Sequence, residues 1–274
     1  MQRATMHLLF QQLPDGISEF TFANIYLFRK SHHYRVSRLS EELLLISGAD
    51  EGKPFFMLPF GLPDEKLLHQ LFNDLGTMKC VSASQAAVLA QRGCRVFEDR
   101  DNFDYLYLRK DLAELAGGKF HKKRNLIKAF ISNYSYEGRP LLEEYMPDAL
   151  RVLDVWRQGR DDPGDYDAAK EALEKAEELQ LCGGVYYVDG RPVAYSLGEE
   201  LMLGRSFVIH FEKAVGEYKG LWQFVNQAFA SILPDKYDTI NREQDMGDEG
   251  LRHAKLSYKP VDFVRKYRAL LIAR

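Results

Sequence analysis

Between Asn241 and Tyr258 the chain gathers side chains that move protons and hold anions. The run reads Asn241-Arg242-Glu243-Gln244-Asp245-Met246-Gly247, then Gly250-Leu251-Arg252-His253-Ala254-Lys255-Leu256-Ser257-Tyr258. Glu243 and Asp245 are candidate proton acceptors. If both face one cleft, their repulsion raises one pKa towards the range where a carboxylate takes a proton at neutral pH. Tyr258 is a candidate proton donor. Arg242, Arg252 and Lys255, with Asn241 beside them, are suited to a carboxylate or phosphate through charge-assisted hydrogen bonds. Glycines bend the backbone after a strand-like lead, and loops at strand ends are where scaffolds carry chemistry. The plainer alternative is a Glu243–Arg252 ion pair that only fixes the loop.

Two further segments could bind anions. Lys119-Phe120-His121-Lys122-Lys123-Arg124-Asn125 opens a stretch, 119–128, that contains no acid and adds Lys128. It reads as a phosphate-binding face for tRNA or an anionic lipid head group; the alternative is an exposed helix with solvated side chains. Gly216-Glu217-Tyr218-Lys219-Gly220-Leu221 lies between a strand and a helix. Such a loop offers free backbone N–H groups and the positive end of a helix dipole, and Tyr218, Lys219 and Gly220 are its candidate contacts. An ordinary strand-to-helix turn is the alternative. His32, His33 and His69 lack metal-ligand spacing, so no metal is expected. His210 alternates with core positions and is either a cleft residue or a satisfied core histidine.

The elements that must position these groups alternate between strand and helix. Strands are expected at 22–28, 34–39, 43–46, 55–58, 78–81 and 105–108, with a hairpin-like turn at 48–52. Helices are expected from Pro63-Asp64, and from Ser84 to Gly93 with Ser84 as cap. Lys119 to Tyr134 reads as a helix with Phe120, Ile127, Phe130, Ile131 and Tyr134 on one stripe. Ser135 to Pro140 is the candidate link between domains at 1–135 and 136–274. Beyond it come helices at about 147–158 and 166–179, then strands at 184–188, 193–200 and 205–213. Asp189-Gly190 signals a tight hairpin. A helix from about 219 to 233 and a strand at 237–240 lead into the opening motif. This order implies layered α/β sheets.

Bulk properties exclude several classes. At 274 residues the chain makes one large domain or two small ones. A net charge of −3 gives no overall basic bias towards nucleic acid, although acids crowd 161–178 while bases crowd 119–128. Three cysteines without a CxxC argue against a disulfide framework or zinc site and for a reducing cytoplasm; Cys94 and Cys182 read as core. No apolar run approaches the roughly 20 residues that span a bilayer, and none near the start resembles a signal peptide. A cytoplasmic protein is expected, with a peripheral place at the membrane as the alternative. The oligomeric state is not legible.

The order hairpin, long strand, 216–220 loop, helix and further strand resembles the GCN5-related N-acetyltransferase (GNAT) fold. There the long strand and the next one splay around the acyl group; here these would be 205–213 and 237–240. Asn241-Arg242-Glu243-Gln244-Asp245-x-Gly247-x-x-Gly250-Leu251-Arg252-x-Ala254-Lys255-x-Ser257-Tyr258-x-Pro260, with Lys119-x-His121-x-Lys123-Arg124-Asn125, is similar to the signatures of a bacterial family related to the C-terminal domain of phosphatidylglycerol lysyltransferase. The resemblance covers nearly the whole chain. It implies an α+β protein of two tandem GNAT-like domains, with mixed, mostly antiparallel sheets flanked by helices, as in the Fem-type aminoacyl transferases. It also implies transfer of an acyl or aminoacyl group, from aminoacyl-tRNA or acyl-CoA, to an amine or hydroxyl. The lysyltransferase carries a membrane flippase region that this chain lacks, which leaves a lipid acceptor open. The rival readings are an acetyl-CoA-dependent N-acetyltransferase and an inactive GNAT pair that binds an anionic ligand. In the transfer reading, Glu243 or Asp245 accepts the acceptor's proton and Tyr258 supplies one to the leaving group.

Overall fold

The computed structural model describes residues 3–272. In chain order its elements are α1 (Arg3–Gln11), α2 (Phe22–Leu27), β1 (Arg35–Arg38), β2 (Leu44–Asp50), β3 (Lys53–Met57), α3 (Glu65–Leu75), β4 (Thr77–Val81), α4 (Ala83–Gln91), β5 (Cys94–Glu98), β6 (Asp104–Leu108), α5 (Arg109–Glu114) and α6 (His121–Asn133). Then follow β7 (Tyr136–Pro140), α7 (Met146–Gln158), α8 (Tyr166–Glu174), β8 (Cys182–Val188), β9 (Arg191–Leu201), β10 (Ser206–Ala214), α9 (Leu221–Ile232), β11 (Thr239–Asn241), α10 (Glu249–Leu256), β12 (Asp262–Val264) and β13 (Tyr267–Leu271). They form two compact units. The first takes the chain up to Tyr105, then Glu243–Arg252 and the residues from Phe263; the second takes Leu106–Arg242 and His253–Asp262.

The first unit holds a six-stranded sheet in the order β1-β2-β3-β4-β13-β5. Its pairs are antiparallel except β3 with β4, which α3 joins as a crossover. α3 forms because Asp64 accepts from the Leu67 N–H at 2.9 Å and Leu68, Leu71 and Phe72 share its buried face. Phe56 and Phe72 meet edge to face at 5.1 Å in the core beneath it. The cap of α4 lies two residues before the expected Ser84, because Ser82 and Gln85 close a capping box. A second departure is α2, which replaces an expected strand at 22–28. Thr21 accepts from the Asn24 N–H, and Ala23, Asn24 and Leu27 turn to one buried side at helical spacing. Lys266 is buried with Asp104, at 2.6 Å, and with Glu19. Burial alone would lower its pKa, but these carboxylates outweigh burial and keep the ammonium charged.

The second unit holds a seven-stranded sheet in the order β12-β6-β11-β10-β9-β8-β7. β10 and β11 run parallel; β7–β8, β8–β9, β9–β10 and β11–β6 are antiparallel. The 135–140 segment, expected as a link, is the edge strand β7, in register with β8 from Tyr136↔Val188 to Pro140↔Gly184. Accordingly, the contacts do not divide the chain at 135/136, and α6 packs in the second unit against α9. Phe130 of α6 stacks on Phe224 of α9 at 4.7 Å, while Ile131, expected on the same stripe, is exposed. Cys182, expected in the core, is exposed as well. Among the described residues no helix is long and apolar enough to cross a membrane.

Candidate functional site

Strand β10 is where the second unit's chemistry begins. Its ladder with β11 runs only from Ser206↔Thr239 to Val208↔Asn241, and there β11 ends while β10 continues to Ala214. On the other edge the register to β9 shifts between Ile209 and Phe211, which leaves His210 as the extra residue of a bulge. A bulge switches which face later side chains point to. Before it, Phe207 faces α9 and meets Phe229 at 5.6 Å. After it, Glu212 faces α9, whereas Lys213 faces α7 and α8, donating to Asp165 at 2.7 and 2.8 Å with Trp156 beneath it. The bulge therefore puts Glu212 on the face where regular alternation would have put Phe211 and Lys213. His210 itself bonds Glu199 at 3.0 Å and both are buried, so it is a satisfied core histidine.

Glu212 is met by Arg242, which follows β11 and reaches back across the gap. Arg242 Nη2 donates to Glu212 Oε1 at 2.7 Å. The buried Asn226 of α9, with its amide oxygen towards the guanidinium, accepts from the same group. Burial alone would lower the Arg242 pKa, but Glu212 outweighs it and the guanidinium pKa lies above its ordinary value. Tyr258 lies 5.6 Å from the guanidinium carbon. Its burial, with Glu212 adding and Arg242 opposing, pushes the phenol up to about 12, so it keeps its proton at neutral pH. Lys255 is buried and donates to the Arg242 carbonyl at 2.6 Å, and its own carbonyl accepts from Tyr107 at 2.8 Å. Asn241 is buried in β11 opposite Leu106.

Lys123 completes this group. It leaves α6 inward, donates to Ser257 Oγ at 2.7 Å and sits 3.9 Å above the Tyr258 ring. Burial and then the charge of Arg242 lower its pKa from the ordinary lysine value. Glu212 is already taken by Arg242, and no carboxylate of the described residues pairs with Lys123. Lys123 is thus a cation with no carboxylate of its own among the described residues, and an entering anion would be favoured beside it.

The remaining basic residues are less uniform than their sequence suggests. Lys119 pairs with Asp111 at 2.6 Å. Arg124 donates to the carbonyls of Leu115 and Gly117 and so caps the end of α5. His121 and Asn125 bond each other at 3.0 Å, one turn apart. Lys122, Lys128 and Lys219 are exposed.

Gly220 is not open to a ligand. It is buried with φ at +89°, and a Cβ there would lie 2.1 Å from the Leu126 carbonyl oxygen. The glycine is needed so that the start of α9 can touch α6. Gly220→Ala should therefore lower the thermal midpoint of unfolding, by the equivalent of about 2 kcal/mol or more, with no ligand present. A thermal melt with an unchanged midpoint would return the loop to an anion-binding role. Tyr218 is half-buried, its ring edge-on to that of Tyr134 at 5.2 Å.

The rest of the motif belongs to the first unit. Asp245 is fully buried and accepts from Tyr105 Oη at 2.5 Å, Arg252 Nε at 2.9 Å, Arg252 Nη2 at 2.7 Å and the Gly247 N–H at 2.9 Å. Arg100 approaches at 3.3 Å, and Arg252 also holds Asp101 at 2.7 Å. Burial would raise the Asp245 pKa, but these hydrogen bonds and the Arg252 charge outweigh it and hold the carboxyl well below the usual range. A carboxylate so held is an anchor and a poor proton acceptor, contrary to the expectation for Asp245. Glu243 is partly buried, has a left-handed backbone, and its carbonyl accepts from the Tyr105 N–H at 3.2 Å. Among the described residues no group of three or more His, Cys, Asp and Glu side chains is placed to hold a metal.

Three solved structures set this geometry among known proteins. A conserved protein of unknown function from Bacteroides thetaiotaomicron is 30% identical, with a TM-score of 0.89 over 99% of this chain and 98% of that one. L-PGS of Bacillus licheniformis is 18% identical, with a TM-score of 0.61 over 88% of this chain and 85% of that one. A tandem GNAT protein from the clavulanic acid biosynthesis pathway shares the fold at a TM-score of 0.52 and 10% identity, over 99% of this chain and 96% of that one. An uncharacterised protein of Mycoplasmoides gallisepticum is 26% identical over 189 residues, 65% of this chain but only 58% of that protein. The fold is accordingly an α+β pair of GNAT-like type. The family model for the C-terminal part of phosphatidylglycerol lysyltransferase matches residues 10–270, and the chain belongs to that family.

Proposed function

We propose that this chain transfers an aminoacyl group from the 3′ end of a tRNA to an amine or hydroxyl acceptor, using the site of Lys123, Arg242 and Tyr258. The observation that supports it best is Lys123, a partly buried ammonium set beside a guanidinium with no carboxylate of its own. The substrate brings the missing negative charge, as a phosphate of the donor's terminal nucleotide. Tyr258 retains the proton that the leaving 3′ oxygen needs, and Arg242, locked by Glu212, fixes the positive field around it. Asp245 takes no proton in this reading, since it is committed to Arg252 and Tyr105. The exposed Lys122 and Lys128 are suited to more distant phosphates of a polyanion. The acceptor's identity is left at its chemistry, a lipid head group or a small molecule with a free amine or hydroxyl.

The test is a titration with bulk aminoacyl-tRNA at a series of KCl concentrations. Affinity should fall steeply with salt, and Lys122→Ala with Lys128→Ala should flatten the log–log slope by roughly one unit per lysine. Saturable binding of CoA with none of tRNA would replace this reading by an acetyl-CoA-dependent N-acetyltransferase.

A further inference from the structure

A polar row crosses the sheet of the second unit on the face that α9 covers. Gly184 on β8 pairs with Ser196 on β9, and Ser196 pairs with Glu212 on β10. Tyr186, two residues along β8, points to the same face, its ring 6.1 Å from Phe224 of α9. Its side chain leans back along the strand, so that the hydroxyl lies 3.3 Å from where a Cβ on Gly184 would be. The hydroxyl thus stands at the head of the row. It is buried and has no hydrogen-bond partner among the described residues. The remaining members are only loosely joined: Ser196 Oγ donates to Glu212 Oε2 at 3.5 Å, the limit of a hydrogen bond, while Glu212 Oε1 is held by Arg242.

An orphaned buried hydroxyl is destabilising, and native proteins rarely keep one without a use. Aromatic residues surround this one: Phe224, Tyr136 and Phe130 pack together beside it. A phenylalanine would fill the same space without the penalty. The row offers the oxygens of Tyr186, Ser196 and Glu212, with one long hydrogen bond among them. The group that matches several lone pairs at once is an ammonium, with three N–H donors for the two hydroxyls and for the Glu212 Oε2 that Arg242 leaves open. An acetyl group has only a methyl to place there.

We propose that Tyr186, Ser196 and Glu212 receive the α-ammonium of the transferred acyl unit, so that this row selects aminoacyl groups over simple acyl groups. The inference rests on the reading of the site as an acyl-transfer site. It adds the residues that decide which acyl group is accepted.

Two probes separate the possibilities: 3′-amino-3′-deoxyadenosine 5′-monophosphate carrying an alanyl group through a stable 3′-amide, and the same nucleotide carrying a propionyl group. They differ only in the amine. Isothermal titration of the wild type should show the alanyl compound binding roughly tenfold tighter. Tyr186→Phe removes an oxygen that bonds nothing in the protein, so the variant should fold with an equal or higher thermal midpoint. It should lose the preference and leave the affinity for the propionyl compound unchanged. Equal wild-type affinity for the two compounds would overturn the selectivity proposal and leave the donor site standing. Equal losses for both in Tyr186→Phe, or a lowered midpoint, would show the hydroxyl to be structural and overturn it too. If neither compound binds the wild type, the nucleotide-donor reading fails with it.

Discussion

Asp245→Asn should cost about 3 kcal/mol at neutral pH, because it removes the charge that Arg252 grips with two hydrogen bonds and that Tyr105 and Arg100 also approach. Asparagine keeps the shape but turns one acceptor oxygen into a donor that faces other donors. The loss should depend on pH. The folded-state pKa of Asp245 lies well below the unfolded value of about 3.9, so the folded protein binds fewer protons there. Its stabilisation is complete above that unfolded value and disappears as pH falls through the folded one. Wild type and variant should therefore differ most above about pH 5 and converge in acid. Thermal midpoints of both proteins from pH 7 down to about pH 2 check this. A constant difference across the range would mean that the carboxylate's charge is not what holds the loop.

Much of this architecture was legible because local chemistry and tertiary packing agree. The β8–β9 hairpin follows from Asp189-Gly190, both of which take positive φ, as a two-residue turn of this kind requires. α3 follows from Asp64 and its leucine stripe. α2 was not legible, since a six-residue run of apolar and aromatic residues fits strand and helix alike and Thr21 decides the matter by capping. β7 was hidden because Gly138, Arg139 and Pro140 read as a link; an edge strand tolerates them when its partner β8 is regular. The site divided in the same way. Lys123, Arg242 and Tyr258 stood out by charge and motif. Glu212, Asn226 and Tyr186 did not, because each sits in an apolar run, and Glu212 becomes polar lining only because the His210 bulge reverses the alternation of β10. The available signal was the adjacent pair Glu212-Lys213 in a strand covered on both faces, where alternation cannot leave both residues in solvent. Asp245 drew attention by its type, and only the packing shows that it anchors rather than reacts.

The second large effect falls on Lys123. As the cation that meets the donor's negative charge, it should be needed for transfer far more than for folding, since its present partners are a serine hydroxyl and a ring face. Lys123→Ala should lower the transfer rate by roughly 10²–10³-fold, with a thermal midpoint close to that of the wild type. The direct measurement follows radiolabelled amino acids from bulk aminoacyl-tRNA into a mixture of phosphatidylglycerol vesicles and small amines, in wild type and Lys123→Ala. The account predicts acceptor-dependent transfer of label by the wild type and almost none by the variant. Label that stays on the tRNA with every acceptor, while acetyl-CoA is consumed, would contradict it, as would a variant as active as the wild type.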